Sequence, residues 1–411
     1  MEKIIENPLM NFDAIYSNNI DENPEHIINM YYQPDYFSFA NGIFPWIVIM
    51  RNRQLNGERN YEKEIHALIK NKITRSYIEQ FDDAGLFLGL SGVYYVLCIS
   101  ADDSRYDNLI YSIYPYLEKL IYCKINECKT NLKEKDVKVE DYDIVSGLSG
   151  ILKFLLHPSV KPYIINKKLI NDVGNCLGEY IYYPSNIDTI KDIPFYLNHE
   201  EILYTKPNHD GLLNLSFSHG LFGILNAMTD YYYHSKNEEI LKNMSTVIND
   251  VMKYYSPEKR SWIKKVYCES KNNYEDMNFS WCYGDLTIMY SLKKVSNLLN
   301  EKKLNDIIIN FFENMKINYE LYPSPTFCHG LSGLLFQLTI IKSEDRFLVY
   351  DKLLSKYDSN YPYKYKDFEK FNRKGYYFDK NNFLTGSLGI YLTVDLFQGM
   401  EDKVMWSELV I

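Results

Sequence analysis

Gly147-Leu148-Ser149-Gly150, followed at once by the apolar run Ile151–His157, carries the reading of the fold. The same short pattern, a Gly before small or apolar residues and a helix-like stretch, returns at Gly89-Leu-Ser-Gly92, Gly220-Leu-Phe-Gly223, Gly330-Leu-Ser-Gly333 and Gly386-Ser-Leu-Gly389. Two degenerate copies, Gly42-Ile-Phe-Pro45 and Gly284-Asp-Leu-Thr287, bring the number to seven, spaced by 47, 58, 73, 64, 46 and 56 residues. Ten of the 19 glycines fall in the five full copies, which chance does not explain. Between copies lie amphipathic stretches such as Tyr106–Ile121 and Glu239–Tyr255, with apolar residues at three- and four-residue intervals. One repeat is therefore a helix pair of about 50 residues. Glycine at a helix start permits a tight entry and close backbone approach.

A string of helix pairs either stacks as an open solenoid or closes on itself. The glycine-led helices are apolar enough for an inner layer, and the more charged intervening helices suit an outer one. Seven pairs closing into a ring give an all-α (α/α) toroid. Periodicity alone leaves the solenoid open. The longest interval, Gly147 to Gly220, holds extra Tyr-, Ile- and Pro-rich material. Residues 178–213 are read as a small β-containing insertion.

Bulk properties narrow the function. The chain has 411 residues, 46% of them apolar, with a net charge of −9 and 39 Tyr. No basic block resembles a nucleic-acid footprint. Residues 1–25 lack the apolar stretch of a signal peptide. The run Ile43–Met50 is too short for a bilayer, which needs about 20 residues. The expectation is a cytoplasmic protein with no membrane insertion, whose seven cysteines serve as thiols or metal ligands rather than disulfides.

The chemistry sits just before the glycines. Repeat five reads Ser280-Trp281-Cys282-Tyr283-Gly284, and repeat six Phe327-Cys328-His329-Gly330. If repeats are related by rotation, equivalent positions converge at one rim, and Cys282, Cys328 and His329 meet. Two thiolates and one imidazole leave a coordination position open, the pattern of catalytic zinc. A buried Cys is more often a small hydrophobe, which is the reading for Cys98, Cys123, Cys128, Cys176 and Cys268. His219, directly before Gly220, occupies the same rim and suits general acid–base work. Asp143, four residues before Gly147, could orient it, hold peptide amides, or cap a helix.

Seven glycine-led repeats with Trp-Cys-Tyr-Gly in the fifth and Cys-His-Gly in the sixth resemble the lanthionine synthetase C-like proteins, specifically the stand-alone lanthipeptide cyclases. The resemblance runs from about Phe37 to Phe397. It implies a single catalytic domain over residues 1–411, an (α/α) toroid of seven inner and seven outer helices. It implies one Zn²⁺ on Cys282, Cys328 and His329, an acid–base pair at His219 and Asp143, and a tyrosine beside the metal at Tyr283. The implied reaction adds cysteine thiols of a dehydrated precursor peptide, leader plus core, to dehydroalanine or dehydrobutyrine. A dehydratase and an exporter are the implied partners, with membrane association only through them. Two departures stand out: Asn278 where the family often has Arg, and Thr287 where a second Gly is usual. The rival readings are a related zinc protein that adds glutathione or another thiol to an electrophile, a prenyltransferase-like toroid, and a non-catalytic peptide-binding scaffold.

Overall fold

The computed structural model describes residues 38–40, 44–101, 104–182, 189–198, 211–267, 277–360, 364–365, 367–371, 374–378 and 382–411. Gly42, Cys268 and parts of the 178–213 stretch lie outside them. All seven glycine leads are followed by a helix: α1 (Phe44–Leu55), α2 (Leu90–Ser100), α3 (Leu148–Leu156), α4 (Leu221–Ser235), α5 (Asp285–Leu299), α6 (Leu331–Ile340) and α7 (Ser387–Phe397). Gly89, Gly147, Gly220, Gly284, Gly330 and Gly386 are the N-cap residues of α2 to α7.

The glycine requirement is steric. A Cβ on Gly147 would stand 2.3 Å from the backbone N of Asp143, because the preceding loop folds directly over the helix start. One turn on, a Cβ on Gly150 would stand 2.0 Å from the carbonyl O of Ile144. In repeat five the equivalent residue is Thr287, and its hydroxyl donates to the carbonyl of Ser280 at 3.4 Å. That loop is laid differently, so a side chain fits where other repeats need Gly.

The inner helices are mostly buried, and in α2 every residue is. Their partners are amphipathic. Helix Glu238–Val251 buries Ile240, Met244, Val247, Ile248 and Val251, a single stripe at three- and four-residue spacing. Six such partner helices are among the described residues, each packed on the glycine-led helix that precedes it.

The chain divides into two compact units. One holds residues 81–318 with 407–411, and in it α2, α3, α4 and α5 pack in sequence order. Leu409, Val410 and Ile411 are buried there: the Trp281 indole N–H donates to Val410 O at 2.7 Å, and Lys153 Nζ to Ile411 O at 3.1 Å. The other unit holds residues 1–80 and 319–406, where α6 packs on α7 and α7 on α1. Arg53 of α1 makes two 2.9 Å bonds to Asp395 of α7, both side chains only 1% exposed. The last repeat thus lies on the first, which an open solenoid would keep apart.

The strands are short. In the first unit β1 (Tyr196–Leu197), β2 (Leu212–Asn214) and β5 (Lys265–Tyr267) form an antiparallel sheet in the order β1-β2-β5, and β3 (Tyr255–Ser256) pairs with β4 (Ser261–Trp262). In the second, β6 (Asp367–Phe371) pairs with β7 (Lys374–Phe378). β1 falls within 178–213 and β2 starts there, ending at Asn214, but their third strand comes from some 50 residues downstream.

Candidate active site

The loops that precede the glycines are tied to one another in series. Phe87 N donates to Val145 O at 2.9 Å, Ile144 N to Ser218 O at 2.9 Å, and Phe217 N and Ser218 N to Cys282 O at 3.2 and 3.1 Å. In the other unit Cys328 N donates to Leu384 O at 2.8 Å and Phe383 N to Ala40 O at 2.9 Å. Phe87, Val145, Ser218, Cys282, Cys328, Leu384 and Ala40 each stand two residues before their motif's Gly. The two cysteines therefore occupy one register position in two different loops, as the repeat alignment requires.

In the first unit the structure gathers Asp143, His219, Cys282 and Tyr283. Asp143 is buried and divides its carboxylate: Oδ1 accepts from Ser146 N and Gly147 N at 2.7 and 2.8 Å, while Oδ2 lies 2.8 Å from His219 Nδ1. Asp143 orients His219 and holds its own loop, while the N-cap of α3 is Gly147. The backbone amides of Ser146 and Gly147 fix the carboxylate, and the carboxylate fixes the imidazole. With Nδ1 engaged, Nε2 is the nitrogen left to exchange a proton with a substrate. Burial pushes the His219 pKa down. The hydrogen bond and charge of Asp143, followed by Cys282 and Glu140, outweigh this and hold it above its ordinary value. The His219 side chain keeps 30% exposure, so a substrate can reach it. Its ring stands 5.8 Å from the ring of Tyr283.

The loop that carries Cys282 is pinned by Asp285, the first residue of α5. Fully buried, its carboxylate accepts from Trp262 N at 2.9 Å, Lys264 Nζ at 2.7 Å, Asn278 N at 3.0 Å and the Ser261 hydroxyl at 3.3 Å. Asn278 is absorbed by this loop, its side-chain oxygen accepting from Ser280 N at 2.8 Å. That side chain caps its own turn.

In the second unit Cys328 is half-buried and His329 is 36% exposed. His329 Nε2 lies 3.3 Å from Oδ1 of the fully buried Asp367, which also accepts from the Ser324 hydroxyl at 2.7 Å. A carboxylate on one ring nitrogen places the lone pair of the neutral imidazole on the other, Nδ1, the arrangement that metal-binding histidines use. Asp367 was not singled out in the sequence, because it sits on β6, outside the repeat motif. Cys282 belongs to one unit, and Cys328 and His329 to the other. Among the described residues no group of three or more His, Cys, Asp or Glu side chains is gathered as a metal site. Of the cysteines expected to be buried hydrophobes, Cys98, Cys128 and Cys176 are buried, with burial pushing all three thiols up, whereas Cys123 faces solvent on its amphipathic helix and Cys268 lies outside the described residues.

Sequence comparison then decides the family, because the lanthionine synthetase C-like protein family matches residues 45–410. The chain belongs to that family. A relative, the nisin biosynthesis protein NisC of Lactococcus lactis subsp. lactis, is 23% identical over 390 residues, spanning 89% of this chain and 87% of its own. A solved structure of nisin cyclase superposes with a TM-score of 0.68 at 20% identity, covering 96% of this chain and 97% of that one. The likeness establishes the fold, an all-α (α/α) toroid with small sheets, for this family member. No helix among its described residues is long and apolar enough to cross a membrane.

Proposed function

We propose that the chain is a lanthipeptide cyclase, closing thioether rings by adding peptide cysteine thiols to dehydroalanine or dehydrobutyrine. The observation that carries this reading is the register of the site: Cys282 and His219 stand on adjacent, hydrogen-bonded loops, with His219 held by Asp143. Family membership and the likeness to NisC support it.

Cys282, Cys328 and His329 would hold one zinc ion. Two thiolates and a carboxylate-backed imidazole are a donor set that zinc favours, with a position over for a ligand. When bound, zinc keeps a substrate thiol in its thiolate form, where a free thiol of pKa about 8.5 is only about 3% ionised at pH 7. The rest falls to side chains of this chain and the peptide. A peptide sulfur forms the C–S bond at the β-carbon, and the π electrons move to the carbonyl oxygen as an enolate. His219, protonated and oriented by Asp143, delivers a proton to the α-carbon from Nε2. One proton leaves the thiol and one arrives at carbon, so no further reactant is needed. His219 held above its ordinary pKa is suited to arriving protonated.

The test is incubation with a dehydrated precursor peptide, ring closure being followed by thiol alkylation and mass spectrometry. Wild type should close rings and carry about one zinc per chain. Cys328→Ala should lose both. Ring closure by Cys328→Ala at the wild-type rate would refute the reading. Glutathione supplied with a small electrophile tests the rival: preferential consumption of glutathione favours a different thiol-adding enzyme.

A further inference from the structure

We propose that Lys265 supplies the positive charge that meets the developing enolate oxygen of the substrate. The inference rests on the cyclase reading above and assigns a catalytic role to a residue outside the glycine repeats.

The placement follows from strand geometry. β5 pairs antiparallel with β2, with Lys265 opposite Asn214, three residues before Phe217 and the His219 loop. Lys264, just before β5, and Lys265, its first residue, reach different partners. Lys264 is 3% exposed and gives its ammonium to Asp285 at 2.7 Å, a buried neutralised pair. Lys265 is half-buried, its Nζ lying 5.7 Å from the centroid of the Tyr283 ring. That is within range of a cation–π contact, which holds the ammonium over the aromatic face. Tyr283 in turn lies 5.8 Å from His219, ring to ring. Lys265, Tyr283, His219 and Asp143 thus form one continuous series within a single unit.

The chemistry requires such a charge. Addition of a thiolate moves a full negative charge from sulfur to a carbonyl oxygen before the α-carbon is protonated. Preorganised donors at that oxygen lower the barrier because the charge appears only in the transition state. Asn278, on the same loop as Tyr283, is neutral and already accepts from Ser280 N. An ammonium on a flexible four-carbon stem, steadied by an aromatic face, can follow an oxygen whose position varies with ring size.

The experiment compares wild type, Lys265→Met and Lys265→Arg with a dehydrated peptide substrate, reading kcat, KM, zinc content, melting temperature and salt dependence. Lys265→Met should lower kcat about tenfold, less than for a fully buried donor because the site is half-solvated. KM should stay within about twofold, and zinc and melting temperature should be unchanged. Lys265→Arg should recover most of the rate. Wild type should lose rate with added NaCl more steeply than Lys265→Met, since only wild type has the charge to screen. An unchanged kcat in Lys265→Met, or a raised KM alone, overturns the proposal and leaves the cyclase reading standing. Equal losses in Met and Arg variants, with zinc or melting temperature reduced, mark a packing role and also overturn it. A wild-type chain that closes no rings overturns the cyclase reading and this proposal together.

Discussion

Asp143 does two jobs with one carboxylate, and the sign of its effect on His219 gives a direct experiment. In wild type Asp143 raises the pKa of His219 against the pull of burial. A general acid works while protonated, so activity should fall as pH climbs through that raised pKa. Asp143→Asn removes the charge while keeping most of the shape, so burial then dominates and the pKa drops. The alkaline limb of the pH–rate profile should move to lower pH, with kcat near neutrality reduced by about 10²-fold or more. A limb that stays in place would mean another group supplies the proton. His219→Ala should remove the limb altogether while leaving zinc content intact. The pair was legible in the sequence as two titratable residues near motif glycines. Lys265 and Asp367 were not, because strands β5 and β6 carry no repeat and nothing local tells which face a lysine will take.

Elements here are held by how closely each pre-glycine loop lies on its helix. A Cβ on Gly147 would stand 2.3 Å from Asp143 N, so Gly147→Ala must push away the loop that orients His219. A loss of about 1–3 kcal/mol in chemical denaturation is expected, together with reduced kcat. Gly178, in helix Lys168–Tyr180, gives the opposite outcome. A Cβ there meets only the Met228 methyl at 3.6 Å, an ordinary contact. Gly178→Ala should stabilise by about 0.4–1 kcal/mol, because alanine loses less backbone freedom on folding. The same chemical change thus has opposite signs at two helices. The seven helix starts could be read from the sequence because glycine answers a local steric demand. The altered loop of repeat five, where Thr287 fits and Asn278 caps its own turn, depends on Asp285 gathering donors from β4, Lys264 and residue 278, which no local pattern encodes.

At the scale of the whole molecule, the question left open by periodicity was whether the repeats stack or close. The likeness in fold to nisin cyclase answers it, and within one unit the Arg53–Asp395 pair fastens α7 to α1. Both groups are buried, so breaking the pair from one side strands a charge. Asp395→Ala should cost about 3–5 kcal/mol in urea denaturation. The double variant Arg53→Met with Asp395→Leu should regain most of that, since an apolar pair leaves no charge uncompensated. If the single variant is as stable as wild type, the pair does not fasten the first repeat to the last.

Sequence alone determined the repeat, the helix starts, the all-α class and the residue types at the rim, because each is set by constraints within a few residues: a Cβ that does not fit, an apolar stripe at helical spacing, a thiol or imidazole two or one places before a glycine. Tertiary structure decided which chain ends meet, which strand lends a third edge to β1 and β2, and which charges stand behind His219, His329 and Tyr283. Those outcomes depend on contacts between residues some 20 to 340 positions apart, where the free energy is shared among many partners and no short stretch carries the instruction.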